Sequence, residues 1–177
     1  MSQLKVNSIV PVGGLPSGSS GGIIQVVKNA KTDVTSSTTT SAWSDLSVAN
    51  VTITPSLNSN KIFGIFSVCY GVSTHHHIIN FRIVRGSSTV VSDVAQASGG
   101  GSTFQSTTYG LRAMYDANGG GFLTMTFLDA PSSTSATTYK LQYYTVQSGT
   151  KYLNRGGNDS PSYGRGASTF TVMELSA

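Results

Sequence analysis

Phe122-Leu123-Thr124-Met125-Thr126-Phe127-Leu128 is the stretch that decides the fold. Leu123, Met125 and Phe127 recur at every second position with Thr124 and Thr126 between them, and an extended strand points alternate side chains to opposite faces. The segment therefore reads as a strand with one buried face and one wet face, and threonine suits the wet side. Tyr139, Leu141 and Tyr143 repeat the pattern around Lys140 and Gln142. The run from Lys61 to Tyr70 differs: Ile62, Phe63, Ile65, Phe66, Val68 and Cys69 make it apolar on both faces. That marks a central strand, or one whose second face is covered by another subunit.

Working outward, similar runs separated by turn residues predict strands over 23–29, 38–43, 48–54, 61–70, 78–85, 89–95, 107–115, 121–128, 137–146 and 169–175. No window holds helical periodicity, and nothing repeats at the period of about 20–50 residues that marks solenoids and propellers. Pro55, Pro131 and Pro161 fall outside the runs, where a missing N–H breaks no ladder. Gly99-Gly100-Gly101 and Gly119-Gly120-Gly121 mark sharp connections. The expected fold class is all-β, one two-sheet antiparallel sandwich of jelly-roll type over residues 23–177. Residues 1–22 read as a separate extended N-terminal arm, in which Leu4, Val6 and Ile9 belong to a strand-like start and Pro11 to Gly22 form a Gly/Ser linker.

Composition supports this reading and narrows the function. Only 10% of the 177 residues are charged, too few to cover the wet faces of amphipathic helices. The net charge of +4 comes from scarce acids, seven against eleven Lys and Arg, and the cations are scattered rather than gathered on one face. Nucleic-acid binding is not expected. Cys69, the single cysteine, sits in an apolar run as a small buried hydrophobe, so no intrachain disulfide is expected. No apolar run approaches the roughly 20 residues of a membrane span, and Met1 to Val10 has no signal-peptide core. Synthesis in the cytosol without membrane insertion follows, and work outside the cell would need an exit other than secretion, such as lysis within a finished particle.

Few residues invite chemistry. His75, His76 and His77 form the one titratable cluster; on a strand His75 and His77 share a face, and three subunits around an axis would present six imidazoles to a transition metal. The plain alternatives are a polar loop tip and pH-sensitive packing between subunits. No G-x-S-x-G elbow is present, and Asp93, Asp116, Asp129, Asp159 and Glu174 each lie in or beside turns, which gives no pair for glycoside cleavage. No catalytic residue, and no cofactor beyond that metal option, is assigned. The loop from Asn154 to Arg165 looks most functional: Asn154, Arg155, Asp159 and Arg165 offer directional hydrogen bonds to sugar hydroxyls, and Tyr152 and Tyr163 offer stacking faces. Equally, Asn154, Asp159 and Arg165 suit backbone satisfaction in a long turn, with Arg155 paired to Asp159.

Leu4-Lys5-Val6-Asn7-Ser8-Ile9 followed by a Gly-rich linker resembles the N-terminal arm of many tailed-phage fibre and virion proteins, especially those of marine and cyanobacterial phages. The resemblance continues through Thr52-Ile53-Thr54-Pro55-Ser56 with Ser59-Asn60-Lys61-Ile62, then Phe81-Arg82-Ile83-Val84-Arg85-Gly86-Ser87. It extends to Phe127-Leu128-Asp129-Ala130-Pro131 with Ser135-Ala136-Thr137-Thr138-Tyr139-Lys140, and to Leu153-Asn154-Arg155-Gly156 leading to Ser162 through Ser168. Departures occur at Ser73 to His77 and at the loop from Gly99 to Phe104. The resemblance implies a small β-sandwich module forming homotrimers on virions. The expectation is a non-enzymatic tail-fibre or receptor-binding module, docked on other virion proteins through the 1–22 arm and binding a host-surface glycan or protein. A capsid decoration protein that stabilises the head is the alternative, and a glycan depolymerase a distant third.

Overall fold

The computed structural model describes residues 22–74, 77–92, 109–113, 120–160 and 164–177, with the side chains of 47, 48, 77, 78 and 109–113 outside the description. Eleven strands occur among them and no helix. They are β1 (Ile23–Lys31), β2 (Thr35–Ser37), β3 (Ser44–Ile53), β4 (Lys61–Val72), β5 (His77–Arg85), β6 (Thr89–Val90), β7 (Tyr109–Ala113), β8 (Gly120–Asp129), β9 (Thr137–Tyr144), β10 (Lys151–Leu153) and β11 (Ser168–Leu175).

The strands form two antiparallel sheets packed face to face. In sheet A, β4 is central: β8 lies along one edge, while β11 and then β10 share the other, with β1 beyond β11 and β2 beyond β10. In sheet B the order is β3-β9-β5, with β6 and β7 on the far edge of β5. Setting aside the short strands β2, β6 and β10, each sheet holds four strands in the orders β1-β11-β4-β8 and β3-β9-β5-β7. These non-sequential neighbours are the double Greek key of a jelly roll. A Ser92–Phe127 bridge links the sheets along one edge. Along the other, Asn29 Nδ2 donates to the Asn50 carbonyl at 2.7 Å and Gln25 Nε2 to that of Thr54 at 2.8 Å.

Alternation does what the sequence predicts. Leu123, Met125 and Phe127 point inward and are buried, as are Tyr139, Leu141 and Tyr143, while Phe122 on the opposite face is 72% exposed. The inner face of β4 adds Ile62, Phe66, Val68, Tyr70 and Val72. Phe66 meets Phe170 and Phe127 edge-on at 4.9 and 5.9 Å between centroids, and Tyr139 lies 4.8 Å from Phe127. Gly64 makes room for this cluster, because a Cβ there would stand 2.0 Å from the Phe127 ring.

Two local expectations fail. Residues 38–43 are not a strand: Ser41 has φ of 57° and donates its N–H to the Thr145 carbonyl, and the Tyr143 hydroxyl binds both the Ser37 hydroxyl and the Thr39 carbonyl. Left-handed backbone at Ser41 turns the chain where extension was expected. Conversely, Lys151–Leu153 pairs with both β4 and β2, a three-residue strand too short to show a period.

The sandwich has two ends. The basal end gathers Gly22, the turn 54–60, the turn 130–136 and the C-terminus. There the Glu174 carboxylate accepts hydrogen bonds from Ser56 N, Ser56 Oγ, Asn60 Nδ2 and Gln25 Nε2 at 2.6–2.7 Å. Arg85 donates twice to Asp129, at 2.9 and 2.8 Å, and the Tyr139 hydroxyl donates to the same carboxylate at 2.8 Å. The distal end gathers the connections after β4, β9 and β10.

Candidate functional site

The distal loop between β10 and β11 grows from Asn154. That residue has φ of 67°, a left-handed conformation asparagine tolerates, and its side chain is fully buried. Asn154 Nδ2 donates to the carbonyls of Lys31 and Asp33, its Oδ1 accepts from the Ser168 hydroxyl, and its N–H donates to the Cys69 carbonyl. Asn154 thus ties the loop root to β1 and β4 and does not stand on the outer surface. Beyond it the loop folds onto sheet A. A Cβ on Gly71 would lie 2.4 Å from the Arg155 carbonyl oxygen, so glycine is what allows the approach.

Four of the sequence-derived candidates do assemble. Arg155 stacks on Tyr152, 3.7 Å from guanidinium to ring centre, and reaches Asp159 at 3.2 Å. Arg165 binds both oxygens of Asp159, at 3.0 and 2.7 Å, with its side chain 60% exposed. The hydrogen bond from Arg165, opposed by slight desolvation and aided by Arg155, holds the Asp159 carboxyl below its ordinary range. Arg155 Nε is buried without a partner. The group can hydrogen-bond a ligand through the exposed Arg165. Tyr163, His75 and the arm residues Leu4, Val6 and Ile9 lie outside the described residues. His77 opens β5, paired with Ala113, its side chain outside the description. Among the described residues no three His, Cys, Asp or Glu side chains gather to hold a metal ion.

Next to this loop lies the buried Lys151, whose Nζ donates to the Gly149 carbonyl at 2.9 Å and lies 5.8 Å from the centre of the Tyr143 ring. Burial pushes its ammonium below the ordinary lysine range.

The two outer faces of the sandwich differ in kind. On sheet A the strand registers align Val26, Met173, Phe63 and Leu128 in one row across β1, β11, β4 and β8. The next row toward the distal end is Lys28, Thr171, Ile65 and Thr126. Val26 and Leu128, on opposite edges of the sheet, are 55% and 56% exposed, and Ile23 and Ile24 are exposed on β1 near Val26. On sheet B a strip of outward polar residues is mutually bonded. Arg82 Nε donates to Gln142 Oε1 at 2.9 Å, Gln142 Nε2 to Asp45 Oδ1 at 2.8 Å, and Lys140 Nζ lies 3.1 Å from Asp45 Oδ2. The Arg82 guanidinium lies 4.1 Å over the Trp43 ring, itself 5.6 Å from Tyr144. Sequence reading missed this strip, because its members come from three segments and carry no motif.

No family model matches the sequence, and no curated protein matches it. Among solved structures the chain is similar to T=1 particles derived from infectious bursal virus, with a TM-score of 0.41 and 14% identity over 86% of this chain and 36% of that one. It is also similar to the infectious bursal disease virus VP2 subviral particle, with a TM-score of 0.39 and 18% identity over 86% and 38%. For the infectious bursal disease virus Gx strain the TM-score is 0.38 and the identity 17%, over 98% and 45%. The chain spans less than half the length of each of these proteins. At this degree of likeness nothing of what those particles do passes to this chain.

Proposed function

We propose that this chain is a non-enzymatic virion structural protein of a tailed phage, a homotrimeric tail-fibre or receptor-binding module. The supporting observation is polarity. Residues 1–21 join the domain at Gly22, whose carbonyl accepts from Ser176 N at the basal end, whereas the connections after β9 and β10 sit at the far end of β4. A twelve-residue strand separates the two ends by about 40 Å. An arm at one end and irregular loops at the other suit a module fixed at its base and displayed at its tip. The apolar row on sheet A supplies the subunit contact, since exposed apolar patches that cross several strands mark association surfaces. The reading requires no cofactor and no reaction.

That row also favours a second reading, a capsid decoration protein that lays sheet A against the shell. Copy number separates the two. Quantitative mass spectrometry of purified particles against the major capsid protein returns a few trimers per virion for a fibre. A ratio near that of the capsid subunit means decoration, and absence from particles sinks both.

A further inference from the structure

The outer face of sheet B carries a concavity as well as a polar strip. Asp45 on β3 pairs with Gln142 on β9, but Asn50 pairs with Lys140, so β3 advances five residues while β9 advances two. The surplus bulges out of the ladder and opens a hollow of about 100 Å³ lined by Asp45, Leu46, Ala49, Asn50, Lys140 and Leu141. Bulges of this kind re-aim side chains and recur beside binding sites. Leu46, Ala49 and Leu141 are buried in the core and form only its floor, so its chemistry comes from Asp45, Asn50 and Lys140: a carboxylate, an amide and an ammonium. The shelf of Trp43, Arg82 and Tyr144 adjoins it through Gln142.

We propose that this face binds a neutral hexopyranose unit of a glycan, its hydroxyls held at Asp45, Asn50 and Lys140 and its ring resting against the adjoining shelf. A pyranose has apolar C–H faces and a rim of groups that each donate and accept. It therefore needs flat carbon or π surface beside fixed acceptors and donors, which this face combines. The polar side chains already brace one another, so little rotamer freedom remains to be lost on binding. Lys140, the one cation lining the hollow, is paired with Asp45 and so is not free to neutralise a phosphate or another polyanion there. The inference deepens the receptor-binding reading by naming a ligand class and a face, while the site itself stands on sheet B alone.

Trp43 is the one tryptophan of the chain, so its emission reports on this site without labels. The test titrates the full chain with maltose, cellobiose, lactose and mannobiose to millimolar concentration, with saturation-transfer NMR in parallel. At least one sugar is expected to shift Trp43 emission saturably. Asp45→Asn and Lys140→Ala, each checked for an unchanged melting curve, are expected to weaken that binding about tenfold, the loss of one hydrogen bond to a charged group. Flat emission and flat NMR with all four sugars overturn the proposal. So does binding that survives both substitutions and disappears in Arg165→Ala, which would move the site to the distal loop. Particle mass spectrometry is independent of this titration, so either reading can fail while the other stands.

Discussion

The two outer faces of this sandwich are finished in opposite ways. On sheet B, outward polar groups pair with one another: Thr52 bonds Thr138 at 2.8 Å, Asp45 takes Lys140 and Gln142, and Arg82 covers Trp43. On sheet A, the row from Val26 through Met173 and Phe63 to Leu128 offers carbon to carbon, with only the distal part roofed by the loop after Asn154. A face whose polar groups are satisfied within one chain is complete in water. One whose widest row is apolar gains from being covered. The contrast gives β4 a reason to be hydrophobic on both sides: one side is core, and the other carries the subunit contact proposed above.

The strongest way to break this contrast is to charge the apolar row. Phe63→Glu with Leu128→Glu should weaken self-association by about 3 kcal/mol or more, a hundredfold or more in the association constant, since two charges would be buried unpaired. Light scattering at micromolar concentration should then show a monomer mass with an unchanged circular dichroism spectrum. A monomeric parent protein would end the assembly reading.

Acid sharpens the contrast by attacking the interior ties. Burial raises the Glu174 carboxyl, but bonds from Asn60, Gln25 and Ser56 outweigh it and lower the group to about 2. Its stabilisation is complete above the unfolded value of 4.5 and fades as the pH falls from there toward about 2. The loss reaches up to about 3 kcal/mol. Glu174→Gln should remove most of that acid sensitivity, read from denaturant midpoints between pH 5 and pH 2.5. At the distal end, Asn154→Ala strips the bonds to Lys31, Asp33 and Ser168 and places alanine at positive φ. About 2–3 kcal/mol of stability should go with it, without change in oligomer mass.

Effects on sheet B should be smallest. Arg82→Ala loses a ring stack and one hydrogen bond at a half-buried site, about 1 kcal/mol by urea denaturation. An equal effect on assembly would mean that sheet B, not sheet A, faces the neighbour.

Much of this was legible in the chain. Period-two alternation in Phe122–Leu128 and Tyr139–Tyr144 announces which residues face the core, and burial confirms each one. The segments that resemble phage proteins prove to be the polar ties: Ser56 and Asn60 clamp Glu174, Arg85 meets Asp129, and Asn154 meets Ser168. Their distance in sequence hid the pairing. Asn154 reads as a surface donor because asparagine in a Gly-rich loop usually is one, and only its neighbours reveal a root. Residues 38–43 are rich in threonine, a good strand former, yet the Tyr143 hydroxyl and the left-handed Ser41 bend them.

By itself the sequence determined the all-β class, the inward sets of Phe122–Leu128 and Tyr139–Tyr144 and the double-sided character of Lys61–Tyr70, because side-chain direction along a strand follows from chain geometry alone. Tertiary structure decided which strands are neighbours, and so that Val26, Met173, Phe63 and Leu128 form one row and Trp43, Arg82, Gln142 and Asp45 one strip. Those groupings cross strands, and hydrogen-bond register between distant segments is set by how the whole core closes.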